Sequence, residues 1–153
     1  MKRSLQLIFI VLVLLLTSAC SVYTRQDKAL RSVGEYECMG FRTHGGLQDY
    51  TDFGIYVYSS ASCNRNQYFT AVSEDDIEII GLFVDNFDNW IDTFQNGNPA
   101  DELVVNYAFD RSIMDTDDYF YIYEGEGYSK FGCYDLYLFD SQTNVLYYFH
   151  NNI

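Results

Sequence analysis

Proline, cysteine and positive charge are all scarce in this chain. One proline, Pro99, in 153 residues leaves no Pro-rich linker or polyproline stretch. Four cysteines, Cys20, Cys38, Cys63 and Cys133, lie far apart and form no Cys-x-x-Cys pair, and the only histidines are His44 and His150. That pattern suits neither a zinc site nor a redox-active dithiol. No glycine-rich phosphate loop, dinucleotide fingerprint or Gly-x-Ser-x-Gly elbow occurs. The longest apolar run, Leu7 to Leu16, has ten residues, where a bilayer span needs roughly 20. Nine Lys and Arg stand against 22 Asp and Glu, a formal charge of −13. Such a field repels phosphate surfaces, so nucleic acid is not an expected partner.

What is present begins with Met1-Lys2-Arg3, the apolar run, and then Thr17-Ser18-Ala19-Cys20. Basic start, short apolar stretch and small residues are the layout of an export signal. The small-small-Cys ending resembles the lipobox of bacterial lipoprotein precursors, with Thr17 where Leu is commonest. The resemblance implies that Cys20 is acylated and becomes the new N-terminus, anchored on an extracytoplasmic face of the cell envelope. Residues 1–19 would then be signal, 20–34 a lipidated, polar tether, and 35–153 a single domain. All the acidic residues remain while Lys2 and Arg3 leave, so the expected mature charge is 7 − 22 = −15. With no basic patch beside the anchor, the body is expected to stand off the lipid surface. Outside the cytoplasm two of Cys38, Cys63 and Cys133 would pair, and the sequence does not choose among the three pairings.

The best-defined element is a helix over Glu74 to Gln95. Ser73 and Asp76 form a capping box, and Ile77, Ile80, Phe83, Val84, Phe87, Trp90, Ile91 and Phe94 share one face. Glu78, Asp85, Asp88 and Asp92 lie on the other. Alternation and β-branched or aromatic content predict strands at Glu35–Phe41, Gly54–Ser60, Gln67–Val72, Leu103–Phe109, Tyr119–Tyr123, Phe131–Phe139 and Val145–His150, with loops at 42–53 and 110–118. Short connections between the later strands imply antiparallel neighbours. The expected fold is α+β, one long amphipathic helix on one face of a mostly antiparallel sheet of six or seven strands. The stretch Asp101 to Ile153, above all Asn144-Val145-Leu146-Tyr147-Tyr148-Phe149-His150, resembles the tails of small uncharacterised lipoproteins of firmicute-type bacteria, which implies no activity.

Candidate chemistry is sparse. Asp115, Asp117 and Asp118, with Asp110 near, have the oxygens a calcium ion wants but lack the order of an EF-hand loop, and a solvated turn explains them more simply. Glu124 and Glu126 flank Gly125, where surface charge is the simpler reading than an acid–base pair. His44, beside Gly45-Gly46, is the better candidate for a functional histidine, and His150 reads as structural. No cofactor or metal is expected. Fifteen tyrosines are the other unusual feature. Tyr119, Tyr121 and Tyr123 alternate along one strand, and a tyrosine surface ringed by carboxylates suits binding. The leading expectation is an acidic, tyrosine-rich envelope domain that binds a cationic protein or peptide, with Glu78, Asp85, Asp88, Asp92, Tyr119, Tyr121 and Tyr123 as contacts. A carbohydrate- or cell-wall-binding module is the alternative, and a metal-dependent enzyme a more distant one.

Overall fold

The structure, a computed structural model, describes residues 25–45, 49–125 and 131–152. The signal segment, Cys20, Gly46 and Glu126 lie outside the described residues. The chain divides into two compact units, Met1–Leu30 and Arg31–Ile153. The second holds the α+β architecture.

Six antiparallel strands run in the order β1-β2-β6-β5-β4-β3, with β1 Tyr36–Gly45, β2 Tyr50–Tyr58, β3 Thr70–Ala71, β4 Tyr119–Glu124, β5 Cys133–Asp140 and β6 Val145–Asn152. Helices are α1 Arg25–Val33, α2 Glu74–Gly97 and α3 Glu102–Asn106, followed by a 3₁₀ turn at Arg111–Ile113. In α2 the capping box is as expected: the Asp76 amide donates to Ser73 Oγ, and the Ser73 amide donates to Asp76 Oδ2 at 3.0 Å. Ile80, Phe83, Val84, Phe87 and Ile91 are buried on its inner face.

That face lies on one side of the sheet. Phe53, Phe149 and Leu136 stand side by side across β2, β6 and β5 and join the helix residues in one core. Phe87 packs edge-on to Phe149 at 5.3 Å, and Phe83 edge-on to Tyr134 at 5.0 Å. The Tyr134 hydroxyl then donates to the Phe83 carbonyl at 3.2 Å, so the ring that fills the core also ties helix to sheet. The hairpin between β5 and β6 turns on Asp140, whose carboxylate accepts the Gln142 and Thr143 amides, and on Asn144 at φ 57°. Asn tolerates that left-handed conformation better than most residues.

Four local expectations are corrected. Residues 25–33 of the expected tether are helical, because Ala29, Leu30 and Val33 form a small buried apolar stripe. The loop over 42–53 is smaller than expected: β1 continues to Gly45 and β2 begins at Tyr50. The strand over Gln67–Val72 shrinks to Thr70–Ala71, since Asn66 Oδ1 accepts the Tyr68 and Phe69 amides and holds that backbone in a turn. The strand over Leu103–Phe109 is absent. Asp101 accepts the Leu103 amide at 2.9 Å and caps α3 instead, and local capping overrides a weak alternation.

Candidate functional site

On the sheet face opposite α2, one rank of side chains is polar where its neighbours are aromatic. Asp52 of β2, His150 of β6 and Asp135 of β5 stand directly side by side in the pairing, and all three are buried. Asp135 Oδ1 accepts from His150 Nδ1 at 2.7 Å and from the Tyr148 hydroxyl at 2.7 Å. A carboxylate can only accept, so Nδ1 is the donor, and the ring's other nitrogen is Nε2. That Nε2 is enclosed and has no hydrogen-bond partner. Tyr50 covers the imidazole with its ring centroid 4.8 Å away. Burial pushes the Asp52 carboxyl above its ordinary range, the Thr43 hydrogen bond and the His150 charge pull it back, and Asp135 adds to the rise. Burial likewise pushes the Tyr148 and Tyr50 phenols up.

A histidine oriented by a carboxylate is the geometry of a general base. Here the nitrogen that would take a proton is closed off from solvent, so the arrangement serves as a buried polar clamp between β5 and β6, with Asp52 of β2 beside it. Sequence reasoning missed Asp52 and Asp135. Their signal was available: each interrupts an otherwise apolar strand, in Thr51-Asp52-Phe53 and Tyr134-Asp135-Leu136. A charge at such a position needs a partner.

His44, the preferred histidine from sequence, is near the opposite face. Its Nδ1 lies 2.8 Å from Asp101 Oδ2 and its ring stacks on Phe94 at 3.7 Å. Burial raises the Asp101 carboxyl, but hydrogen bonds from His44 and the Leu103 amide outweigh it and hold the group below its usual range. The pair fastens β1 to the start of α3.

The remaining candidates serve mostly internal contacts. Arg111 donates to Asp85 at 2.5 Å and to Asp88 at 2.6 Å, and the Tyr107 hydroxyl donates to Asp88 at 2.5 Å. Glu78 and Asp92 stay exposed. Tyr119 and Tyr123 are half-buried, and Tyr121 lies between Tyr137, stacked at 5.4 Å, and Tyr68 at 5.5 Å. These tyrosines do not form the open aromatic surface expected of them. In the acidic loop Asp110 accepts the Ser112 amide, Asp115 the Asp117 amide, and Asp118, almost fully buried, the Ser141 and Asp115 amides. These carboxylates cap turns. Among the described residues no group of three or more His, Cys, Asp or Glu is arranged to hold a metal ion. Glu124 ends β4 exposed.

Among the described residues Cys38, Cys63 and Cys133 are not joined to one another by a disulfide. Cys38 and Cys133 sit on strands three ladder steps apart, about 14 Å laterally, which removes that pairing from the three. Burial pushes the Cys63 thiol up to about 12, so it is inert as a nucleophile.

Among the described residues no helix is long and apolar enough to cross a membrane. No protein-family model matches the chain, and comparison with curated proteins and with solved structures returned no match.

Proposed function

We propose that the chain is a lipid-anchored binding domain on an extracytoplasmic face of a bacterial envelope, carried by Cys20, that engages a cationic protein or peptide. The observation supporting the reading is the unbalanced charge of its surface. Arg111 pairs with both Asp85 and Asp88 and offsets one of their two charges. Glu74, Asp75, Glu78 and Asp92 along α2, and Glu35 and Glu37 at the start of β1, are exposed and outnumber the cations available to them. A field of one sign steers an oppositely charged partner to the surface and rejects like-charged ones. The half-buried state of Tyr121 and its neighbours gives the sugar-stacking alternative no comparable support.

One two-armed experiment tests this. Wild-type and Cys20→Ala chains are fractionated, and each is titrated with a lysine decamer at low salt and at about 0.5 M salt. The expected result is membrane association of the wild type only, and decamer binding by both that weakens roughly tenfold or more as salt rises. Equal membrane association of both chains removes the anchor from the proposal, and salt-indifferent or absent binding removes the cationic partner.

A further inference from the structure

The helix-side face of the sheet is not fully covered. Phe53, Leu136, Leu138 and Phe149 enter the core under α2, whereas the β1 positions on that face, Gly40, Arg42 and His44, do not. Two clefts open along this flank. One, of ≈ 170 Å³, is lined by Met39, Gly40, Arg42, Phe53, Ile55 and Asn106. The other, of ≈ 320 Å³, is lined by Glu35, Tyr36, Glu37, Met39, Val57 and Ser59. Both touch Met39, and their floor is the successive same-face residues Phe53, Ile55 and Val57 of β2.

The sequence makes this groove in two ways. Gly40 has no side chain to fill it, and a Cβ built there would meet nothing within 4 Å. A register shift between Cys38 and Gly40 bulges Met39 out of the pairing, leaving it 64% exposed as a ridge between the clefts. Beside the groove runs the outer edge of β1, ten residues long and the end strand of the sheet among the described residues. An edge of this kind offers main-chain donors and acceptors to an added strand.

Charge and polarity say what fits. Glu35 and Glu37 stand at one cleft, which suits a cationic side chain. At the other, Arg42 Nε is enclosed without a hydrogen-bond partner. Its nearest carboxylate oxygen, on exposed Glu102, is 3.8 Å away, too far for a hydrogen bond. The Arg42 side chain as a whole is 39% exposed and lines this cleft, so its outer N–H groups suit a carbonyl of an incoming backbone, and the apolar floor below suits an aliphatic side chain, since a cavity of about 150 Å³ holds a benzene-sized group. A second copy of this chain would bring its own charge of −13 against the same carboxylates. Repulsion therefore favours a basic partner over self-pairing.

We propose that this flank is a docking groove for an extended basic segment of the partner, added beside β1 as a further strand. A Lys or Arg side chain lies at Glu35 and Glu37, and an apolar side chain lies in the Gly40–Arg42 cleft. Glu37 and Arg42 pair with Val57 and Phe53, four ladder steps or about 13 Å apart because Met39 is bulged out, so the two anchors fall four positions apart on one face of the added strand. This inference rests on the cationic-partner reading and assigns it a site.

The test uses the full chain and three probes: a synthetic octapeptide with Lys and Leu four positions apart in a Thr/Val background, the same peptide with alternate amides N-methylated, and the lysine decamer. Binding is read by fluorescence anisotropy. The unmethylated octapeptide is expected to bind, and methylation to weaken it about tenfold or more, because it removes main-chain hydrogen bonds. Gly40→Leu, which fills the cleft where backbone and space allow it, and Glu37→Lys should each weaken the octapeptide similarly, while Glu78→Lys on α2 leaves it unchanged. An unmoved circular dichroism spectrum and melting temperature confirm that Gly40→Leu still folds. The groove is overturned if methylation or both β1 substitutions leave octapeptide affinity unchanged, or if Glu78→Lys is the change that matters. Decamer binding that persists alongside such a result leaves the cationic-partner reading standing. Failure of every basic probe removes both.

Discussion

The two faces of one sheet solve burial differently. Under α2, ranks such as Phe53–Phe149–Leu136 are apolar throughout, and their rings meet Phe87 of the helix, Phe149 edge-to-face at 5.3 Å and Phe53 tilted at 6.3 Å. On the opposite face, one position along each strand, the neighbouring rank reads Asp52–His150–Asp135, and tyrosines stand around it. Both faces are largely closed to water. Ring and aliphatic packing holds most of the first, with the Tyr134 hydroxyl bonded to the helix, whereas the second depends on polar groups finding partners in the sheet. Both ranks resist a shift in strand pairing, because a slip exchanges the faces, and the polar rank adds hydrogen bonds that only one register satisfies. A one-residue slip would move Asp52, His150 and Asp135 onto the aromatic side. The polar face therefore contributes pairing specificity, and the apolar face contributes most of the burial energy.

The largest expected effect is on the apolar side. Phe87→Ala removes a fully buried ring touching Phe53, Tyr107 and Phe149, and should cost about 3–5 kcal/mol in urea unfolding. A cost near 1 kcal/mol would mean that the face under the helix is loosely packed, and the contrast would dissolve.

On the polar side, Asp135→Ala leaves the Tyr148 hydroxyl and the His150 Nδ1–H buried without their acceptor, for an expected loss of about 2–4 kcal/mol. Tyr148→Phe keeps the ring and loses one bond to a charged group, so about 1.5 kcal/mol is expected. Additive losses in the Asp135→Ala, Tyr148→Phe double variant would argue against a shared network, since both changes remove the same hydrogen bond.

The smallest effect is one of pH. Asp52 holds its proton more tightly folded than unfolded, so its contribution favours folding most below its ordinary value of 3.8 and declines as pH rises from there through the raised folded value. Asp101 runs the other way: its lowered value stabilises the fold above 3.8, and that benefit is lost as pH falls through the folded value. Asp52→Asn should flatten the decline and raise the melting temperature at neutral pH by a few degrees, with the acid-side loss from Asp101 unchanged. An unaltered pH profile would place Asp52 in a more hydrated setting than its burial indicates.

Much of the fold was legible in the residues. The helix was marked by its capping box and its three-and-four spacing, and β4, β5 and β6 by alternation and turn chemistry. Two of the misreadings share one cause, a local side-chain bond competing with strand formation. Asn66 turns the chain where a longer strand was expected, and Asp101 starts a helix where alternation suggested another. α1 was overlooked because three apolar residues in a polar stretch make a weak stripe. Of the candidate contacts among the acids of α2 and the tyrosines of β4, Asp85, Asp88 and Tyr121 are engaged by Arg111, Tyr107, Tyr68 and Tyr137. His150 read as structural and is bonded to Asp135, which was passed over within a strand, while Asp52 was hidden because the 42–53 stretch read as a loop.

The sequence by itself determined the charge, the class of fold, the long helix and the order of the later strands, because each depends on composition or on spacing within one segment. Only the tertiary structure decided which carboxylates are enclosed, which are neutralised and which stay open. Asp52 and Asp135 lie 83 residues apart and meet across His150 through strand order. Gly40 is an unremarkable glycine until β2 supplies the floor beneath it. Contacts of that range are set by which strands pair and which helix covers them, and no local pattern encodes them.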